Sequence, residues 1–291
     1  MQKEAAHEAQ QISVVLARAL WQRRRRTIAL LAVLGALLVM GFYTVTDAQR
    51  LATSLPLNGA DWAGYALCHR LPGHSLTING RQLPLCARCT GMYLGAAVAL
   101  GVLGLSGRLR RADLPPWPVL LLLVSLIGMM GIDGLNSFSH FLPNGPRLYE
   151  PRNWLRLVTG MGTGVAMGLI LAPAVAQTLW RAPEFTPVLG GLRELADLLV
   201  LALVVILLAL SNQPAILYVL SLVSTAGLMA IVIALNTVVL LIATRRDGRA
   251  TRWRETAVPL ALGLLLAIIE LGAISYARFS LTGTMTGFPG L

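Results

Sequence analysis

Residues 215–243 read AILYVLSLVSTAGLMAIVIALNTVVLLIA and contain no charged side chain. About 20 helical residues cross the hydrocarbon core of a bilayer, so an uncharged apolar run of this length predicts a transmembrane helix. Further apolar runs occur on both sides of it. Only 13% of the residues are charged, against about 25% in soluble domains. We therefore predict an all-α polytopic transmembrane helix bundle.

Working outward from this run, we expect about seven spans separated by short polar connections. The predicted spans are residues 27–46, 90–106, 117–137, 154–177, 195–211, 215–243 and 256–277. Residues 1–26 are interpreted as a cytoplasmic amphipathic helix that ends in a basic anchor. The predicted organisation is a four-span unit, 27–180, followed by a three-span unit, 181–291.

The net charge of +11 comes almost entirely from arginines, which lie in short clusters between the apolar runs. Basic residues favour the cytoplasmic side of a membrane. With the N-terminus inside, the inner connections hold roughly twice as many basic residues as the outer ones. We therefore predict a multi-pass plasma-membrane protein whose C-terminus faces outward. No basic stripe with interleaved aromatic residues occurs, so nucleic acid is not an expected partner.

The first outer connection, residues 47–89, is the longest polar segment and holds all three cysteines of the chain. Its C-x-x-C motif can place two sulfurs on one tetrahedral ion, and an upstream Cys-His pair can complete the coordination. The candidate ligands are Cys68, His69, Cys86 and Cys89, with His74 and His140 as alternate nitrogen donors. Zinc is the expected metal, and an iron–sulfur cluster is its main competitor.

Two other functions are compatible with the same cysteines. A membrane thiol–disulfide oxidoreductase would cycle Cys86 and Cys89, because a helix N-terminus and the charge of Arg88 both stabilise a thiolate. A transporter or assembly factor would use the cysteines only to clip the loop. The sequence leaves these alternatives open.

Ionisable residues inside predicted spans are costly to bury and therefore indicate function. Asp133, Arg156 and Glu270 lie toward the outer ends of their spans, and Arg147 lies in an outer connection. We expect Arg156 to pair with Asp133 or Glu270, and these groups to form a polar pocket near the cysteines. The number of outer arginines also predicts an anionic or lipid-linked small molecule as a partner, besides the bilayer.

Small residues recur at every fourth position on two predicted spans. The second span carries Gly91, Gly95 and Ala99, and the fourth carries Gly160, Gly164 and Gly168. Such faces let helix backbones approach closely in lipid, so these positions predict helix contacts.

Two short runs, CHRLPGHS at residues 68–75 and PLCARCTG at residues 84–91, resemble the signature of a prokaryotic family of predicted membrane proteins of unknown function. Asp133-Gly134 and the run NWLRLVTG at residues 153–160 fit the same pattern. The resemblance covers about residues 60–180. It implies a membrane protein with a shared polar site, and it implies no particular reaction.

Overall fold

The computed structural model describes residues 48–142 and 145–287, together with Gly35. The α-helices of these ranges are α1 (Ala48–Ala52), α2 (Leu55–Leu67), α3 (Ala87–Leu105), α4 (Trp117–Ser139), α5 (Asn153–Leu179), α6 (Leu192–Leu210), α7 (Pro214–Ala243) and α8 (Ala257–Thr282). The described residues contain five helices that are long and apolar enough to cross a membrane: α3, α4, α5, α7 and the segment Trp253–Thr282, which includes α8. The predicted all-α polytopic bundle is thereby confirmed. The predicted amphipathic helix, the basic anchor and the first span lie outside the described residues, apart from Gly35.

Helix α6 forms where the fifth span was predicted, but it is not among the five. Arg193, Glu194 and Asp197 lie in its first two turns, which shortens its uninterrupted apolar length. Glu194 accepts a hydrogen bond of 2.8 Å from Arg108 at the end of the bundle. Only Ser211, Asn212 and Gln213 separate α6 from α7, and Asn212 lies in the left-handed region, at φ 53°.

Helices α3 and α5 pack backbone against backbone through their small residues. A Cβ added at Gly95 would overlap the backbone oxygen of Met161, and one added at Gly164 would overlap that of Met92. Gly91, Gly160 and Gly168 approach the opposite helix in the same way. The predicted helix contacts at these small residues are confirmed, and the structure shows that the two faces contact each other.

The described residues 48–142 and 145–287 belong to one compact unit. Helix α7 packs on α3, and α8 packs on both α2 and α7. One buried cluster joins Cys68 and Cys86 to Leu228 of α7 and Leu271 of α8. The division of the chain at residue 180 into a four-span and a three-span unit stays a prediction. Contacts between the two parts bring α7 and α8 to the cysteine loop.

The connections at the end of the bundle opposite the cysteines are tied together by short strands. Strand β3 (Arg111–Asp113) pairs in parallel with β4 (Glu184–Pro187), and the rings of Trp180 and Trp253 stack edge to face at 4.7 Å. These strands were not predicted, because they are too short to show an alternating pattern.

The cysteine loop, residues 48–89 of the described chain, forms a packed cap. It contains α1, α2, a 3₁₀ turn at Pro72–His74 and a hairpin of β1 (Thr77–Ile78) with β2 (Arg81–Gln82). Its side chains Leu57, Tyr65 and Leu83 are buried. The loop therefore has its own hydrophobic contacts, which fix the position of the cysteines.

Candidate metal centre

The three cysteine sulfurs converge on one point. The Sγ atoms of Cys68, Cys86 and Cys89 all lie within 4.8 Å of one another, and all three thiols are free. Sulfurs that share a tetrahedral zinc ion at about 2.3 Å are about 3.8 Å apart. A small movement of the side chains would therefore seat an ion among them.

The start of α3 explains why two of these sulfurs point inward. Cys86 is the N-cap of α3, and its sulfur accepts a hydrogen bond from the backbone N–H of Cys89 at 3.5 Å. The backbone N–H of Cys86 in turn donates to the sulfur of Cys68 at 3.2 Å. Backbone N–H donors and a helix N-terminus both stabilise negative charge on sulfur. The local fold thus favours the thiolate, which is the form that binds metal.

A sharp turn allows the neighbouring residues Cys68 and His69 to approach the same point. Arg70, which follows them, has a φ of 49°, in the left-handed region that a non-glycine residue rarely adopts. Such a residue costs roughly 1–3 kcal/mol and persists only when its surroundings enforce it. Here the buried Arg70 side chain donates to a carboxylate oxygen of Asp61 at 2.8 Å, and Asp61 also binds Arg81 at 2.7 Å.

Arg278, near the end of α8, holds the backbone of the same turn. It donates to the carbonyl oxygens of Cys68 at 2.6 Å and Tyr65 at 2.7 Å, and to that of His69 at 3.2 Å. Its guanidinium also lies 4.1 Å from the centre of the Tyr65 ring. The last helix of the chain is therefore part of the scaffold that positions Cys68 and His69.

The two histidines of the loop have different surroundings. Hydrogen bonds to the thiols of Cys68 and Cys86 raise the pKa of His69 to about 9, against the effect of burial. Burial, followed by the positive charge of Arg156, lowers the pKa of His74 to about 4. His74 is therefore neutral, and its Nδ1 can accept a hydrogen bond from Nε2 of His69 at 3.1 Å.

This hydrogen bond leaves Nδ1 of His69 as the nitrogen available to the sulfurs. Ligand histidines usually donate their other N–H to a nearby acceptor, and His74 fills that role. Hydrogen bonds from the Cys86 and Cys89 side chains hold the pKa of the Cys68 thiol well below its usual value, although burial opposes this shift. Without a metal ion, the loop therefore favours a thiolate at Cys68 beside a protonated imidazole at His69.

The structure corrects the predicted ion pair at Arg156. Asp133 is fully buried and pairs with Arg88, whose Nε donates to it at 3.1 Å. Tyr149 donates a second hydrogen bond to Asp133 at 2.9 Å. Arg88 reaches Asp133 because α3 begins beside the C-terminal end of α4. Arg156, on α5, instead donates to Asn153 at 2.9 Å.

The remaining candidates do not reach the cysteines. His140 contacts the carbonyl oxygen of Asn136 through Nδ1 at 2.8 Å, and Arg147 is exposed. Glu270 lies half-buried on α8 and has no ion pair among the described residues. Sequence reasoning also missed the roles of Asp61 and Arg278. In the sequence both are isolated charged residues, and nothing in their spacing links them to the cysteines.

A cavity of about 450 Å³ lies beside the cysteine cluster. Its lining comprises His69, His74, Arg88, Gly134, Ser137, Phe138 and Phe141. The cysteines do not line it, and the sulfurs of Cys68 and Cys86 are buried. Of the candidate metal ligands, His69 and His74 line the cavity.

Comparison with known proteins agrees with a membrane protein. A family model described as a predicted membrane protein (DUF2085) matches residues 68–170, the part of the chain that holds the cysteines, Asp133 and Arg156. The chain is similar to an uncharacterized protein of Methanothermobacter thermautotrophicus, at 50% identity over 30 residues. It is also similar to uncharacterized protein MJ1492 of Methanocaldococcus jannaschii, at 27% identity over 122 residues.

These matches cover only part of each chain. The first covers 10% of this chain and 27% of its relative, and the second covers 41% of this chain and 71% of its relative. No solved structure matches the chain. The resemblance to predicted membrane proteins is thus confirmed for the region around the cysteines, and the printed descriptions assign no activity.

Proposed function

We propose that this membrane protein holds one zinc ion with the sulfurs of Cys68, Cys86 and Cys89, and with His69 as the fourth ligand. The convergence of three free thiols within 4.8 Å carries this proposal. Four protein ligands in a buried position are typical of structural zinc sites, which leave no coordination position open. The ion would fasten the outer loop to the N-terminus of α3.

The donor set favours zinc over an iron–sulfur cluster. Clusters are usually held by four cysteine thiolates, and this chain has three cysteines in all. Zinc accepts mixed sulfur and nitrogen ligands in a tetrahedral arrangement. One histidine beside three cysteines supplies that arrangement.

The oxidoreductase alternative is less well supported by the geometry. A cycling thiol must be reached by its partner, and the sulfur of Cys86 belongs to a residue only 1% exposed. The charge of Arg88, which was expected to activate Cys89, is instead engaged by Asp133. A purely structural role of the cysteines in a transporter or assembly factor stays the third possibility.

Elemental analysis of detergent-purified protein, with free-thiol counting on the same sample, separates these functions. We expect about one zinc per chain and three thiols that react only after the metal is chelated. A metal-free protein with two of its three thiols oxidised would contradict the zinc proposal and favour a redox pair or a structural disulfide.

We also propose that the cysteine loop faces the outside of the cell. The opposite end of the bundle gathers the basic connections that contain Arg108, Arg110, Arg111, Arg181, Arg245, Arg246, Arg249, Arg252 and Arg254, as expected for a cytoplasmic surface. An antibody against an epitope fused after residue 291 should bind to cells whose cytoplasmic membrane is intact and whose outer membrane surface is accessible. Binding only after membrane permeabilisation would reverse the orientation.

Arg278 should be needed for tight metal binding, although it is not a ligand. The substitution Arg278→Gln removes the hydrogen bonds that hold the backbone of Cys68 and His69, and supporting interactions of this kind are worth roughly 10–100-fold in metal affinity. Competition with a chromophoric chelator measures this change. The matched control is Arg254→Gln. Arg254 is exposed and lies just before the N-terminus of α8, at the other end of this helix from Arg278. Equal affinities of the two variants would show that the contact does not support the site.

A further inference from the structure

The polar connections at the end of the bundle opposite the cysteines are joined into one surface. The backbone N–H groups of Gly248 and Ala250, which follow α7, donate to the carbonyl oxygens of Thr178 and Leu179 at 2.8 and 3.0 Å. The N–H of Arg181 donates in return to the carbonyl oxygen of Ala250 at 2.9 Å. The chain after Arg181 continues into β4, which pairs with β3. Backbone hydrogen bonds therefore hold three connections, far apart in the sequence, in fixed positions.

This surface carries an excess of positive charge, and we call it the basic surface. Residues 244–256 contain five arginines but only two acidic residues, Asp247 and Glu255. Glu255 already accepts a hydrogen bond from the backbone N–H of Thr251 at 2.6 Å. Five arginines of the surface are exposed and lie in no ion pair within the described part of the chain: Arg181, Arg245, Arg246, Arg249 and Arg254. Their guanidinium groups are therefore available to an outside anion.

An aromatic stack lies within the basic surface. Trp253 is exposed just before α8, and its ring packs edge to face on the ring of Trp180 at 4.7 Å. The guanidinium of Arg110 lies 4.3 Å from the centre of the Trp180 ring. Tryptophans at the ends of membrane spans favour the interface between hydrocarbon and water, where the lipid headgroups lie. Trp253 therefore indicates that the basic surface lies at the level of the headgroups.

The side chains next to the basic surface are apolar and exposed. Ile242 lies in the last turn of α7 and Val258 in the first turn of α8. Both helices are long and apolar enough to cross a membrane, so these side chains are expected to contact hydrocarbon. Arg245 follows Ile242 by three residues, which is about 5 Å at the rise of a helix. Arginines so close to the hydrocarbon are better placed for lipid headgroups than for a soluble acidic partner.

We propose that the basic surface binds the headgroups of anionic phospholipids in the leaflet that it faces. Guanidinium groups donate paired N–H bonds to phosphate oxygens, and clusters of basic residues next to a span are typical of anionic lipid binding. Zwitterionic lipids bind less well, because their own cation offsets the phosphate charge. The basic surface shares no residue with the metal centre, so the proposal does not depend on the zinc ion.

Fluorescence quenching by brominated lipids tests the proposal, because bromine atoms quench tryptophan only at short range. The full-length protein is reconstituted in vesicles of equal parts phosphatidylglycerol and phosphatidylcholine, with bromine on the acyl chains of one lipid or of the other. The signal of Trp253 is the part of the fluorescence that Trp253→Phe removes. We expect phosphatidylglycerol to associate with the site at Trp253 at least about five-fold more strongly than phosphatidylcholine.

Substitution of two arginines gives the second arm of the test. The double variant Arg246→Gln, Arg249→Gln should reduce the preference to less than about two-fold, and it should fold because both side chains are exposed. The matched control is Arg147→Gln, Arg152→Gln, which removes two exposed arginines before α5 and should keep the wild-type preference. An ionic strength of about 1 M should weaken the preference of the wild type, because it shortens the screening length to about 3 Å.

Equal association of the two lipids with the wild-type protein would overturn the proposal and favour a soluble acidic partner for the basic surface. A preference that survives in the double variant, or that the control loses to the same extent, would also overturn it. Zinc content is measured on every sample. Normal zinc content without a lipid preference contradicts the lipid proposal alone, and a normal lipid preference without zinc contradicts the metal site alone.

Discussion

Replacement of Cys86 with serine is expected to reduce bound zinc from about one ion per chain to less than about a tenth of one. Cys86 contributes a ligand sulfur, caps α3 and donates its backbone N–H to Cys68. A serine hydroxyl can keep the helix cap, but it is a much weaker zinc ligand than a thiolate. The helix bundle should therefore still assemble while the metal is lost.

The matched control is His140→Ala. His140 is an alternate candidate by sequence, but it contacts Asn136 rather than the cysteines, so its removal should leave the zinc content unchanged. Elemental analysis after gel filtration gives both values. Retention of zinc by Cys86→Ser, or equal loss in His140→Ala, would show that the ion is bound elsewhere.

Gly164→Leu is expected to prevent assembly of the bundle. Even a Cβ at Gly164 would overlap the backbone of Met92, so the larger side chain must push α3 and α5 apart. Overpacking of a well-packed contact typically costs about 1–3 kcal/mol, and here the obstruction is backbone, which cannot rotate away. We expect the yield of monodisperse protein in detergent to fall at least about ten-fold, because a free-energy cost of about 1.4 kcal/mol already changes the equilibrium constant of assembly ten-fold.

Gly101→Leu is the matched control, because Gly101 lies on α3 and no atom would stand within 4 Å of an added Cβ. This variant should be recovered in wild-type yield. Size-exclusion chromatography of the two variants side by side measures the difference. Equal recovery would mean that the α3–α5 contact is looser than the structure shows.

The helices, and the faces on which two of them make close contacts, could be predicted from the sequence because the bilayer imposes simple rules. Residues 215–243 needed only length and the absence of charge to be identified as a span. Gly95 and Gly164 could be assigned to a helix contact because small residues at four-residue spacing lie on one face. Helix α6 begins at Leu192, three residues before the predicted span, and the charges of Arg193, Glu194 and Asp197 in its first turns keep it out of the five apolar helices.

The cysteine cluster was also predictable, since C-x-x-C and Cys-His are local patterns. The groups that position it were not. Arg278 reaches Cys68 across 210 positions of sequence, and Arg88 reaches Asp133 across 45. No spacing rule links residues so far apart, and the choice between Arg88 and Arg156 as the partner of Asp133 depends on how α3 and α5 are rotated against α4.

Zinc K-edge X-ray absorption of the purified protein tests the central claim most directly, because it counts the ligand atoms of the ion. We predict about three sulfurs at about 2.3 Å and one nitrogen at about 2.0 Å, with the nitrogen signal replaced by oxygen in His69→Ala. A first shell made mainly of oxygen and nitrogen, or a protein that binds no zinc, would contradict the assignment of Cys68, Cys86, Cys89 and His69 as a metal centre.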